Sequence, residues 1–286
     1  APQTAGLEFG TCSWNYESWI GLVYTDKAPY AAAYLKEYSA AYNTVEVDSW
    51  FYKLPSPEDA AEYRYVRRKD FHFRASSLNP FRLPMSAAAK KRTTESESRF
   101  SLVDIYRRYL EASVALRDRI FLAELEFEYL NRQKMQNAAA YMKALGAFAN
   151  DLEKEDLRTV LPLGIEYRNA NYLTREYFRF LKDHGLVHVF SEKAFLPHVY
   201  ELYGSFGDLI GDRAAIRLLG GDRKEIEEKT KGVWNEIVDP KEDLPEIAAM
   251  LRDLAQGSRL VKVYLNNHYE GSAPKSIERL EALVSG

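Results

Sequence analysis

The 286-residue sequence has a single cysteine, Cys12, so no disulfide can form within the chain, and a reducing compartment, the cytoplasm, is the expectation. Cys12 closes a short apolar run, where a small core residue is the expected role and a nucleophile the rarer one. No run approaches the ~18 apolar residues of a membrane span. Residues 1–6 lack the basic and apolar regions of a secretion signal, and Ala1 rather than Met stands first, so removal of an initiator Met or of upstream residues is expected. A net charge of -3 excludes a general attraction to nucleic acid or anionic membrane, so any basic site must be local. The turn Gly10-Thr11-Cys12-Ser13-Trp14 has one glycine and lacks the fingerprint of a dinucleotide site. The histidines at 72, 184, 188, 198 and 268 show no HxH or HExxH spacing. A divalent metal therefore has no support from ligand spacing, and no metal ligand is assigned. No Gly/Ser linker divides residues 1–286, which read as one domain.

What is present is an alternation of strands and helices. Strands are expected at Leu7 to Cys12, Thr44 to Asp48, Asp70 to Ala75, Ile120 to Leu125, Val160 to Tyr167, Leu186 to Phe190, Ala214 to Leu219 and Leu260 to Leu265. Helical periodicity or a capping signal separates them, as at Tyr30 to Ala41, Met135 to Phe148, Thr174 to Lys182 and Leu244 to Leu254. Strands alternating with helices imply a parallel sheet, and eight repeats favour an α/β (β/α)8 TIM-like barrel over a doubly wound open sheet. The long polar connection Asn79 to Ser98 is a candidate lid.

A strand has a period of two, so in a barrel one parity faces the helices and the other the lumen. Taking the apolar parity as outward leaves Glu46, Asp48, His72, Arg74, Glu124, Glu166, Arg168, His188, Arg217, Lys262, Tyr264 and Asn266 inward. Barrel lumens are ordinarily layers of Val, Ile and Leu, so this list exceeds what packing requires. Four carboxylates (Glu46, Asp48, Glu124, Glu166) face four cations (Arg74, Arg168, Arg217, Lys262). They form either a self-satisfying ion-pair network or a site, and Glu46, Glu166, Arg168, Arg217 and Asn266 fall at strand C-terminal ends, where barrel enzymes hold their catalytic groups.

Five stretches lie in register with one known pattern: Gly10, Thr11, Trp14, Tyr16 and Trp19; Asn43-Thr44-Val45-Glu46-Val47-Asp48 with Phe51-Tyr52; Ile165-Glu166-Tyr167-Arg168-Asn169; Ala215 to Gly220; and Tyr264-Leu265-Asn266-Asn267 with Gly271. Together they resemble the YecE-like family, domain of unknown function 72. The resemblance implies a TIM-like barrel and brings no established activity. Ser76, Asn169 and Leu219 stand where the family usually has a lysine and two histidines, and Pro84-Met85-Ser86 replaces a Thr-His.

Three functions fit these residues. The first is binding or hydrolysis of a phosphate-bearing ligand, a nucleotide or nucleic acid, at the C-terminal mouth. It uses Arg168, Arg217 and Lys262 as charge, the loops with Gly220-Gly221 and Asn266-Asn267 as a cradle, and Trp14, Tyr16, Trp50 and Tyr52 as stacking surfaces, with Arg74 contributing below. The second is a glycosidase-like enzyme with Glu46 and Glu166 as paired carboxylates, and either enzyme would be a hydrolase. The third is non-catalytic binding of a small anion or metabolite, which the departures from the family pattern favour.

Overall fold

The computed structural model describes residues 6–51, 54–66, 70–76, 102–127, 129–257 and 259–286. Tyr52 and the expected lid at 79–98 lie outside the described residues. Eight strands are present: β1 (Leu7–Thr11), β2 (Thr44–Val47), β3 (His72–Ser76), β4 (Ile120–Phe127), β5 (Leu163–Tyr167), β6 (Val187–Lys193), β7 (Arg213–Gly220) and β8 (Leu260–Leu265). All neighbours pair in parallel, in the order β1-β8-β7-β6-β5-β4-β3-β2. The helices between them are α1 (Ala31–Ala41), α2 (Pro57–Glu62), α3 (Leu102–Ala112), α4 (Ala138–Lys154), α5 (Arg175–Asp183), α6 (Val199–Phe206), α7 (Arg223–Thr230), α8 (Leu244–Gln256), α9 (Asn267–Glu270) and α10 (Ala273–Ser285). The fold is the expected (β/α)8 TIM-like barrel, nearly closed. No described helix is long and apolar enough to cross a membrane.

Closure is achieved at a seam between β1 and β2. One bridge, Cys12 to Glu46, joins them, with the Ser13 N–H donating to the Glu46 carbonyl at 3.0 Å. The Tyr38 hydroxyl braces the same seam from α1, accepting the Thr11 N–H at 2.9 Å and donating to the Thr44 carbonyl at 3.1 Å. Gly10 is required here, because a Cβ on it would lie 2.1 Å from the Thr44 carbonyl oxygen.

The strand faces turned to the helices carry Val45, Val47, Phe73, Leu125, Ile165, Ile216 and Val263, all buried in one core with Leu35, Leu145, Phe178 and Leu251. Helix starts are set by side-chain caps: Asn137 accepts the Ala140 N–H, Thr174 the Tyr177 N–H, and Asp222 the Lys224 and Glu225 N–H groups.

The lumen is layered by polarity. At its floor Lys262 pairs with Glu8, the amine 4.9 Å from the Phe121 ring. Above sits an apolar cluster of Phe121, Leu122, Val187, Val189 and Ala215. The charged residues fill the upper part. His188 departs from the parity reading: pairing of Gly164 with Val187 and of Val189 with Ala215 turns the valines inward and His188 outward. Its ring packs edge-on to Phe178 at 4.7 Å, with Nδ1 3.1 Å from the Tyr177 hydroxyl. Both faces of β6 are apolar, so hydrophobicity alone could not orient this strand.

Candidate functional site

At the C-terminal mouth, the strand period brings Glu46 from β2, Glu126 from β4, Glu166 from β5 and Arg217 from β7 around one point. Arg217 grips Glu46 in a two-pronged contact, Nε to Oε2 at 3.1 Å and Nη2 to Oε1 at 2.5 Å. Its Nη1 donates to Glu166 and, at 3.2 Å, to Glu126. Arg168, just past the end of β5, closes the ring with Nε to Glu166 at 3.1 Å and Nη2 to Glu126. Beneath, fully buried Arg74 pairs with Glu46 and Glu124.

These pairings set the proton affinities. Burial alone would raise the Glu46 carboxyl, but Arg217 and Arg74 override it and hold Glu46 at about 2. Glu166 is likewise held at about 2, with Arg217, Arg168 and Arg74 outweighing its burial. Two carboxyls move the other way. Asp48 is pushed up to about 6 by burial and by the Glu46 charge, and Glu126 is raised by burial and by Glu166. Cys12 donates its thiol to Glu46 at 3.1 Å; burial and that carboxylate push its pKa well up, which keeps it a thiol, in line with the core role expected for it.

The mouth opens on a cavity of about 310 Å³, lined in part by Tyr16, Asp48, Arg168, Lys193, Gly220 and Asn266. Lys193 reaches it from the end of β6, past a register shift between Glu192 and Lys193. Its amine makes no ion pair or hydrogen bond among the described residues, whereas Arg168, Arg217 and Arg223 are each held by a carboxylate. Burial and the neighbouring Arg168 charge lower its pKa. His268, also lining the cavity, has its pKa lowered by burial, with Nε2 3.3 Å from Glu227.

Of the residues expected at the site, Glu46, Tyr16, Arg168, Arg217 and Asn266 line this cavity, while Glu166 and Arg74 stand behind it as counter-charges. Asn266 also caps α9, accepting the His268 N–H at 2.9 Å. Asn267 is buried behind the wall, accepting the Ala273 N–H at 2.9 Å. Lys262 is at the opposite end of the lumen, engaged with Glu8. Trp14 is buried edge-on against Tyr63 at 5.6 Å, its Nε1 donating to the Ala31 carbonyl at 2.8 Å, and Trp50 stacks on the other side of the same cluster. Neither indole offers a stacking surface. Glu126 and Lys193 escaped the sequence reading because it ended β4 at Leu125 and β6 at Phe190. The period of two, continued from Glu124, reaches Glu126; Lys193 lies on the parity opposite to His188, beyond a register shift, so the orientation of β6 was needed to place it.

The chain matches the family described as "Protein of unknown function DUF72" over residues 8–286. Among solved structures it is similar to a DUF72 family protein of Enterococcus faecalis V583, with a TM-score of 0.67 and 16% identity over 98% of this chain and 96% of that one. A DUF72 family protein of Thermotoga maritima MSB8 superposes with a TM-score of 0.62 and 18% identity over 98% and 99% of the two chains. No curated protein matches the sequence.

Proposed function

This chain belongs to the DUF72 family, and on that premise we propose that its barrel mouth binds a small phosphate-bearing ligand. The observation that carries this reading is Lys193, a partly buried amine beside the cavity that pairs with no carboxylate among the described residues. An entering anion would supply it with a direct counter-charge. Arg168 retains N–H groups beyond those given to Glu126 and Glu166, and the Gly220-Gly221 turn after β7 stands where barrels commonly receive phosphate. Gly220 adopts φ +85°, and a Cβ there would lie 2.2 Å from the His268 carbonyl oxygen, so the close approach of the β7 turn to α9 depends on glycine. If the bound ester is hydrolysed, Asp48 is the base, since a carboxyl near 6 is ionised at neutral pH yet able to take a proton from water.

The glycosidase reading is weakened by the same network. Such an enzyme needs one protonated carboxyl of its pair, and Glu46 and Glu166 are both locked to guanidinium groups as anions. Burial of Trp14 and Trp50 likewise removes two platforms a nucleic acid strand would use. Thermal denaturation in rising inorganic phosphate and in a nucleoside monophosphate tests the proposal, because a ligand bound by the native state raises its apparent stability. The wild type is expected to gain stability and Lys193→Met to lose that response. A wild type indifferent to both probes, or a variant that keeps the full response, would sink the reading. Asp48→Asn separates the classes: retained binding with lost ester hydrolysis supports catalysis, and absence of hydrolysis in the wild type supports a binding protein.

A further inference from the structure

On the β6–β7 flank of the mouth lies a second cavity of about 430 Å³. Three groups meet on its wall: Glu192 from β6, His198 six residues on and just before α6, and Asp243 before α8. Glu192 Oε2 accepts the Val199 N–H at 2.9 Å, which fixes the carboxylate and turns Oε1 to His198 Nδ1 at 2.7 Å. The same Nδ1 lies 3.4 Å from Asp243 Oδ2. The imidazole is stacked flat on Tyr200, ring centroids 5.1 Å apart and 7° from parallel, so the direction of Nδ1 is set. Two carboxylate oxygens thus converge on one nitrogen, which carries at most one hydrogen and can satisfy one of them.

An independent observation points to the same spot. Tyr269 lines this cavity and is 1% exposed, and its hydroxyl has no hydrogen-bond partner among the described residues. Asp243 and Glu192 line the same cavity, and theirs are the charges that act most strongly on that phenol. A buried hydroxyl facing two carboxylates without bonding either leaves room for a group between them. The two lysines on the wall do not supply it. Lys241 is paired with Asp239, and the electrostatic neighbours of Lys193 are Arg168, Glu166, Glu126 and Arg217, on the mouth side.

We propose that Glu192, His198 and Asp243 bind a divalent first-row metal ion through Oε1, Nδ1 and Oδ2, with the Tyr269 hydroxyl hydrogen-bonding a water on that ion. One nitrogen with two carboxylate oxygens is a donor set suited to Zn²⁺ or Mn²⁺. Ligand bonds of about 2.1 Å in a tetrahedral site separate neighbouring ligand atoms by roughly 3.4 Å. The observed 2.7 and 3.4 Å, with all three atoms within 4.8 Å of one another, lie around that spacing. The two carboxylates also neutralise the ion. By contrast, the cluster of Glu124, Glu126 and Glu166 in the lumen already has Arg74, Arg168 and Arg217 as its cations.

The test is isothermal titration of the chelator-stripped full chain with ZnCl2 and, separately, MnCl2. Wild type is expected to take up one ion per chain, and His198→Ala and Asp243→Asn each to weaken uptake by roughly tenfold or more. Both side chains are partly exposed, and far-UV circular dichroism verifies that the variants fold. Failure of wild type to bind either ion, or affinities within about twofold of wild type in both folded variants, overturns the proposal.

Discussion

Arg217 is the residue on which most of the buried charge of the mouth converges, since it holds Glu46, Glu126 and Glu166 at once. Replacing it by Met leaves two fully buried carboxylates short of their main counter-charge, and stability is expected to fall by about 3–5 kcal/mol. The urea midpoint measures this; a loss below about 0.5 kcal/mol would mean the network is dispensable. The double substitution Arg217→Met with Glu46→Gln should recover part of the loss, because it removes a stranded anion along with its partner. At this scale the sequence was informative where chemistry followed the strand period. Glu46, Glu166, Arg168 and Arg217 were all recognisable as charges on an inward parity. It was silent where strand ends were misjudged, as with Glu126 and Lys193, and where an indole's fate depended on tertiary packing, as with Trp14.

Among the elements, β1 and β2 depend most on single residues. Gly10→Ala would press a methyl group into the Thr44 carbonyl, and we expect a destabilisation of about 1–3 kcal/mol from the forced widening of the seam. Tyr38→Phe removes the hydroxyl that serves both strands and strands the Thr11 N–H, at a cost of about 1–3 kcal/mol. Chemical denaturation checks both, and additive losses in the double variant would argue against a shared seam, since residues bracing one joint couple. Strand existence and order were legible because β-branched and aromatic residues alternate with helical stretches throughout. The orientation of β6 was not: with Val187, Val189, Phe190 and His188 all buried, its hydrophobic pattern has no polar side to mark the lumen. Only the register with Gly164 and Ala215 decides it.

For the whole molecule, the shifted groups predict a particular acid response. Glu46 and Glu166 bind protons at about 2 in the folded chain against an ordinary 4.5, so the unfolded chain takes up protons first. Their contribution is complete above about 4.5 and lost as pH falls toward 2. His188, held down to about 3 by burial against an ordinary 6.5, acts in the same sense from 6.5 downward. Asp48 opposes them, since its folded value of about 6 exceeds its ordinary 3.8 and its contribution disappears as pH rises through 6. His188 and Asp48 largely offset each other between pH 6.5 and 4.5, so the urea midpoint is expected to change little there and to fall steeply below 4.5 as Glu46 and Glu166 lose their contribution. His188→Phe leaves the Asp48 contribution unopposed, so the midpoint of that variant should rise as pH falls from 6.5 to 5; a pH dependence unchanged from wild type over that range would refute the assignment to His188.

The seam also dictates an order of events during synthesis. The ladder partner of β1 is β8, more than 250 residues later in the chain, while its other neighbour offers one bridge. As the chain leaves the ribosome, β2 to β7 can zip pairwise in the order they appear, but β1 must wait with an open edge until residues 260–265 have been made. The first barrel strand to be translated is thus among the last to be secured. Pausing late in translation should prolong the exposure of that edge to chaperones and to neighbouring chains.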